Sequence, residues 1–445
     1  MVLLLRGQRV AGDESVAVAT SFNWARNVRS SPVQVCSPSS EEELINMVAR
    51  SAPARIRLVG GNHSWSDIAA TDAVRICLDG MSRVLAVDGE RVVVEAGIRI
   101  GALNMALAER GLALSNVGSI DEQSIAGAIS TATHGSGRNH GVLSTQVVGL
   151  RLLTMDGVVH TLSAQSQPAL FDAARVGLGC LGIITAVTLQ CVPAFRLEEV
   201  ATPMSVSEAV DRLPALLDAG EYVKMWWLPG SDTVQVFSAS HTDVPAAPRP
   251  VKEWLDRAVL SPVIFPIVLA LGDRFPALIP TLSRIVASIY FRPDRRVDHS
   301  HRVLHIPMPP RHLESEYALP IERAGEALLR LQALIRTEKL AVNFVQELRF
   351  VAADDLPLSP ASARPTCYFG AYTAAPRDAD RYFAAFEALM AELSGRPHWG
   401  KLFSRTPEQL AALYPGWAAF QALRDRLDPE NRLVNPFIQR VLGLP

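Results

Sequence analysis

The feature that most narrows the fold is a strand running straight into paired glycines. Arg55-Ile56-Arg57-Leu58-Val59 alternates with the period of a strand and continues as Gly60-Gly61-Asn62-His63-Ser64-Trp65-Ser66-Asp67. Two glycines let successive backbone N–H groups converge on an anion, and Asn62, Ser64 and Ser66 add polar hydrogens. The P-loop pattern, which ends in Gly-Lys-Ser or Gly-Lys-Thr, is absent. A second run rich in Gly, Ser and Thr extends from Asn116-Val117-Gly118-Ser119 through Ser124, Gly127, Ala128, Thr131, Thr133 and His134 to Gly135-Ser136-Gly137. It has no basic cluster, so any phosphate there is held by main-chain donors. Either loop alone reads as ordinary turn glycine. Together they point to a large nucleotide cofactor cradled by backbone.

A third glycine run is a decoy. Gly177-Leu178-Gly179-Cys180-Leu181-Gly182 matches GxGxxG, but a dinucleotide fingerprint follows a strand and opens a helix. Here a helix, Leu170–Val176, comes before it and a β-branched strand, Ile183–Gln190, after. These glycines read better as close backbone packing beside a ligand or another strand.

Around the loops, strand and helix signals alternate. Ser39-Ser40 ahead of Glu41-Glu42-Glu43 caps a helix. Val74–Leu78 is a strand, and Val84–Val87 with Val92–Glu95 forms a hairpin turning at Asp88-Gly89. Ile100–Arg110 is a helix stopped by Gly111, and Leu150–Thr154 with Val158–Leu162 is a second hairpin. Later strands, Val223–Leu228, Thr233–Ser238 and Ala341–Val351, alternate with the helices Ile321–Thr337 and Tyr382–Leu393, the latter ending at Gly395.

Composition closes off other classes. Lys plus Arg is 43 and Asp plus Glu is 45 in 445 residues, a net charge of −2, which excludes a basic sheath for nucleic acid and an acidic tail. Cys36, Cys77, Cys180, Cys191 and Cys367 form no CxxC pair, so neither a disulfide framework nor a bound metal is expected. Val2–Leu5 is too short for a secretory signal, so the expected placement is cytoplasmic or peripherally membrane-associated. The longest apolar stretch, Val259–Leu271, is broken by Ser261, Pro262 and Pro266 and falls short of the ~20 residues of a span. It reads as a buried cap helix or as an interfacial patch.

Over nearly the whole length the motifs combine into a resemblance. It is carried by Gly61–Asp67, Leu112–Ser119, Ala174–Gly182, Thr188–Pro193, Glu347-Leu348-Arg349-Phe350, Gly395-Arg396-Pro397-His398-Trp399-Gly400-Lys401 and Leu427-Asp428-Pro429. The chain resembles the FAD-linked oxidases of the vanillyl-alcohol-oxidase type, and within them the aldonolactone oxidoreductases. The resemblance implies an α+β, two-domain FAD-linked oxidase fold. A PCMH-type FAD-binding domain would span residues 1–195 and a cap with an antiparallel sheet, binding substrate, residues 196–405. The C-terminal segment 406–445 would return to the FAD domain. An aldonolactone and dioxygen are the implied partners, and the oligomeric state stays open.

Residue by residue, the likeness makes Val59, Gly60, Gly61, Asn62, His63, Ser64 and Trp65 the pyrophosphate loop. His63 stands where many members attach the flavin covalently through its 8α-methyl. Gly118 and Ser119 fall beside the flavin and the reacting carbon. Gly118 either leaves oxygen a path, since relatives that react poorly with oxygen carry Ala there, or only serves a tight turn. Ser124, Gly127, Ala128, Thr131, Thr133, His134, Gly135, Gly182, Ile183 and Ile184 would add FAD-binding backbone. Glu347 and Arg349 are two apart on a strand and share a face. Read alone they are equally a solvated ion pair. In the family that face lines the active site, with Ser119 and Lys401 completing the catalytic set and Lys401 also reaching the cofactor. Two cations and one carboxylate suit a polyhydroxylated substrate and the negative charge that develops during oxidation. Gly370 and Tyr372 stand where alditol oxidases carry His and Thr, which favours a lactone. The implied reaction is hydride transfer from the lactone C2 to FAD, then reoxidation by oxygen with release of peroxide. The rivals are a dehydrogenase using a quinone or cytochrome, and a carbohydrate-binding module without flavin.

Overall fold

Short parallel pairing sets up the glycine loop. In a computed structural model that describes residues 20–444, strand Ile56–Val59 lies beside Val74–Cys77, with Gln34–Cys36 on the other side. Val2–Leu5 lies outside the described residues. The preceding helix is Glu41–Arg50, where Ser40 accepts from the Glu43 N–H and the three glutamates of the first turn offset the helix dipole. Arg57 is buried and donates to the carbonyls of Ile68 at 2.6 Å, Leu178 at 2.8 Å and Leu433 at 3.2 Å. One side chain thus ties the glycine loop, the third glycine run and the C-terminal segment together.

A five-stranded antiparallel sheet completes this half. Its order is Val159–Leu162, Val147–Leu153, Ile183–Gln190, Arg91–Glu95, Val84–Asp88. The first hairpin turns one residue later than the sequence indicates. Asp88 pairs with Arg91, so the turn residues are Gly89 and Glu90, and Gly89 takes the positive φ of 55° that this turn needs.

The second half is an eight-stranded antiparallel sheet. Its order is Asp294–His299, Arg196–Ser205, Thr233–Thr242, Tyr222–Trp227, Gln346–Val351, Thr366–Thr373, Leu313–Pro320, Arg396–Pro397. Alternation gives the sheet two unlike faces. Val223, Met225, Trp227, Leu348, Phe350, Phe369 and Tyr317 pack under helices Ala324–Thr337 and Ala379–Glu392. Their neighbours Lys224, Trp226, Glu347, Arg349, Tyr372, Glu314 and Glu316 point the other way, into a cavity. Two expected boundaries move. The strand begins at Gln346, because Ala341 and Asn343 are tied instead to Asp378 and to Ala374 N–H. Helix Ala379–Glu392 is followed by Ser394 at φ 58°, so the left-handed residue is Ser394 and not Gly395.

The C-terminal residues fold back onto the first half. Asp428 is fully buried and accepts from the N–H groups of Arg432 and Leu433, both at 2.8 Å. Asn435 donates to the carbonyls of Asp67, Ile68 and Ala70, and Phe437, Ile438 and Val441 enter the core that holds Leu44 and Ile56.

The apolar stretch Val259–Leu271 is not core, which corrects one of the two sequence readings. It belongs to a helical run whose last parts are Phe265–Arg274 and Ile279–Tyr290. Val263, Ile264, Ile267, Leu271, Phe275, Leu278, Ile285 and Ile289 are all 40% exposed or more. The physical reason is that the inner face of the run covers a cavity, while the outer face packs against none of the described residues. Among the described residues no single helix is long and apolar enough to cross a membrane, and Pro262–Arg274 meets Pro276–Tyr290 at a bend of 118°.

Candidate active site

Two joined cavities run between the halves. A narrow cleft of about 120 Å³ is lined by Val59 to Ser64, Ser124, Gly127, Thr131, Gly177 to Gly179, Gly182 and Ile184. It shares His63, Ser64, Gln123 and Thr131 with a chamber of about 880 Å³ under the eight-stranded sheet.

The cleft is built of main chain. Asn62 takes φ 58°, which turns successive N–H groups toward one side. The N–H groups of Gly61, Asn62, His63 and Ser64 meet no acceptor among the described residues, so a line of donors is left facing the cleft. The glycines are required by closeness. A Cβ on Gly60 would run into the Ser124 hydroxyl, and one on Gly61 would lie 2.7 Å from the Glu122 carbonyl oxygen. Free backbone donors in a slot too tight for side chains suit the pyrophosphate and flavin of a dinucleotide. Ser124, Gly127, Thr131, Gly182 and Ile184 line the cleft, while Trp65, Gly118, Ser119, Thr133 and His134 line the chamber. Three expected contacts lie elsewhere. Ala128 and Ile183 are wholly buried in the core, and Gly135 is packed against Asn116 and the Val117 carbonyl.

His63 sits at the junction. Burial, then Arg99 and Lys401, push its imidazole down to about 4, so the ring is neutral near neutral pH. It stacks on Trp24 with centroids 6.0 Å apart.

The chamber floor is a row of cross-strand neighbours. Gln235, Trp226, Glu347, Gly370 and Glu316 are successive partners across five strands, and Phe237, Lys224, Arg349 and Tyr368 form the next row. Arg349 donates to Glu347 at 2.9 Å and to the hydroxyl of Ser119. Trp226 Nε1 donates to Glu347 at 2.7 Å, and the Tyr372 hydroxyl does so at 3.2 Å. The pair is therefore buried and networked, unlike the solvated alternative. Burial opposes ionisation of Glu347, but Arg349 outweighs it and holds the carboxyl below its ordinary value. Gly370 gives Tyr372 its position: a Cβ there would lie 2.6 Å from the tyrosine ring.

Lys401 belongs to a neighbouring cluster that the sequence reading missed. Its ammonium pairs with Glu314, lies 4.0 Å from Glu316 and sits 4.1 Å over the Trp65 ring. No direct contact joins it to Arg349, although both line the chamber. Glu314 and Glu316 join Glu347 on the floor, and Lys224, paired with Glu199 at 3.5 Å, joins Arg349 and Lys401, so the expected set of two cations and one carboxylate is corrected. Glu314 and Glu316 were readable in principle as two acids with period two, but the strand Leu313–Pro320 was not recognised. Oε1 of Glu314 is buried without a donor, and so is Nε of Arg349 without an acceptor.

Behind these lie His134, Glu316 and His398, all buried, with one potential ligand atom each within 4.8 Å of the others. His134 Nδ1 meets the Gly135 carbonyl at 3.0 Å, and Nε2 faces Glu316 at 3.3 Å. Burial would raise the Glu316 carboxyl, but His134 and Lys401 outweigh it and hold it low. Burial pushes His398 down to about 3 against the pull of Glu316. The trio reads as a buried carboxylate facing His134, with the neutral His398 imidazole beside it.

Known proteins resemble this chain in sequence and in fold. Residues 187–441 match the D-arabinono-1,4-lactone oxidase family, and residues 32–163 match the FAD binding domain family. The chain is 36% identical to L-gulonolactone oxidase of Bos taurus, over 94% of this chain and 97% of that one. It is 38% identical to L-gulono-1,4-lactone dehydrogenase of Mycobacterium tuberculosis, over 95% of this chain and 98% of that one. Among solved structures, cholesterol oxidase from B. sterolicum superposes with a TM-score of 0.75 at 15% identity, over 95% of this chain and 96% of that one, a likeness of fold. With a main-chain cleft for FAD opening onto a polar chamber, and with relatives aligned from end to end, the chain belongs to the FAD-dependent aldonolactone oxidoreductases.

Proposed function

We propose that this enzyme oxidises the C2 hydroxyl of L-gulono-1,4-lactone or a close aldonolactone, with dioxygen as acceptor, yielding ascorbate or its analogue and hydrogen peroxide. The observation that carries the reading is the floor of paired charges, Glu347 with Arg349 and Lys401 with Glu314 and Glu316, lying where the FAD cleft opens. Bound FAD supplies the hydride acceptor; the protein supplies position and charge. Arg349 is fixed by Glu347 and Ser119, so its guanidinium is a preorganised donor to a ring oxygen or to charge developing on the substrate. The Glu314 carboxylate, held in place by Lys401, lines the chamber as an acceptor for a substrate hydroxyl. Tyr372 lies across Gly370 and narrows the floor, which supports a compact ring over an extended polyol. The name of the Mycobacterium tuberculosis relative keeps an acceptor other than oxygen as the second reading.

His63 is assigned as the covalent flavin link, because its neutral ring lies at the mouth of the donor loop. The outer face of Phe265–Arg274 and Ile279–Tyr290 is assigned to the surface of an anionic membrane. Its apolar side chains are flanked by exposed Arg274, Arg284 and Arg292, the pairing that such a surface attracts.

Peroxide release across a panel of aldonolactones and alditols tests the function; turnover of alditols alone would overturn it. On the lactone that is turned over, Arg349→Ala and Lys401→Ala should each lower kcat by roughly 10- to 100-fold with FAD still bound. Arg349→Lys should recover only part of the loss, because the planar fork is gone. Near-normal kinetics in both alanine variants would remove the assignment. After acid precipitation the yellow colour should remain with the protein, and in His63→Ala it should pass to the supernatant. Colour lost from the unaltered enzyme would exclude the covalent link.

Gly118 distinguishes gate from turn. Its φ is not positive, so no backbone requirement explains it, and an added Cβ would lie 3.0 Å from Thr133 Cγ2 and 3.3 Å from the His134 carbonyl oxygen. Gly118→Ala should therefore slow reoxidation by oxygen while reduction by lactone changes little. Stopped-flow measurement of the two half-reactions decides, and equal slowing of both would refute the gate. The enzyme should also float with vesicles containing anionic lipid, and Ile267→Asp with Ile285→Asp should release it. Flotation unaffected by that double change would move the contact elsewhere.

A further inference from the structure

The chamber has two chemistries. Its floor is charged, with Lys224, Arg349, Lys401 and their carboxylate partners, whereas its roof is hydrocarbon, built by Leu260, Phe265, Val268, Leu282 and Val286. An aldonolactone carries hydroxyls on most of its carbons. Pressing those hydroxyls against the roof would strip them of hydrogen bonds with no return. Dioxygen needs no such roof. The roof is thus fitted to a molecule that the lactone reaction leaves unnamed.

The same helices are apolar on both sides. Leu282 and Val286 face the chamber, while Ile267, Leu271 and Ile285 of the same pair of helices face outward and are 54%, 42% and 50% exposed. The hairpin is a thin apolar wall between the chamber and whatever lies against the outer surface.

We infer that the chamber is also the site of a lipophilic quinone, which enters after the oxidised lactone has left and takes up the electrons. The fit has two ends. A quinone ring offers two carbonyl oxygens, and Arg349 and Lys401 on the floor carry the N–H donors that meet them and stabilise charge developing on them. Its ring substituents and hydrocarbon tail lie along the roof, where burial is favourable. The balance closes without another reactant. The lactone C2 alcohol loses two electrons and two protons to become the ketone, and the quinone gains the same two electrons and two protons to become the quinol. This rests on the lactone reading only for the source of the electrons.

Binding and electron transfer can be tested separately on the FAD-loaded enzyme. By calorimetry, a decyl-tailed benzoquinone should bind the oxidised enzyme about ten-fold or more tightly than the tail-less quinone with the same ring. It should also quench the fluorescence of Trp226, which lines the chamber. After anaerobic reduction with dithionite, stopped-flow reoxidation should show the same preference. Leu282→Gln and Val286→Gln should abolish it while leaving reduction by lactone and reoxidation by oxygen intact. Equal affinity for both quinones would overturn the proposal even if neither variant folds, since that comparison uses the unaltered protein. A preference that survives in folded forms of both variants would overturn the chamber as its seat. If lactone fails to bleach the flavin while the tailed quinone still binds and reoxidises it, the lactone reading falls and the quinone site stands.

Discussion

The two halves of the enzyme are joined through Arg349. Its guanidinium belongs to the cap sheet, its carboxylate partner Glu347 is two residues away on the same strand, and its other partner, Ser119, belongs to the FAD half. Backbone continues the seam: Gly137 N–H donates to the Phe350 carbonyl at 2.6 Å, and Ala352 N–H donates to the His140 carbonyl at 2.9 Å. One strand therefore packs a core with its even face, lines the chamber with its odd face and docks the other half by its edge. Loss of either charge would strand the other in a dry site, at about 3–5 kcal/mol. The same buried pair sets the position of groups on the chamber floor and adds to the contacts that hold the two halves together.

Much of this was legible because it obeys short periods. Glu347 and Arg349 share a face through strand alternation, and the paired glycines after Val59 are followed by a run of N–H groups, Gly61 to Ser64, that meet no acceptor among the described residues. What sequence could not show was which face is buried. An i,i+2 ion pair on a surface strand and one beneath a cavity look alike until the neighbouring strands are known. Glu314 and Glu316 escaped for a related reason. Their strand pairs with residues more than fifty positions away, and only that register puts Glu316 across from Gly370 in the row that holds Glu347.

The apolar stretch near residue 265 failed in a different manner. Hydrophobicity predicts burial when the partner surface belongs to the protein, but here the inner face meets a cavity and the outer face meets solvent. The GxGxxG run behaved as its flanking elements required. It lines the cleft, but from the strand side, with Gly182 at φ 152° letting the backbone pass close to Leu152 and the Leu153 carbonyl.

Gly370 has a consequence for how this site can change. The Tyr372 ring occupies the space that a side chain at position 370 would need, and the same ring holds Glu347 through its hydroxyl. A larger residue at 370 cannot arrive first, because it would collide with the tyrosine. A smaller residue at 372 can arrive first, but it releases one of the hydrogen bonds on the buried carboxylate. The two positions form a ratchet: conversion toward an open-chain substrate must pass through a form with a weakened floor.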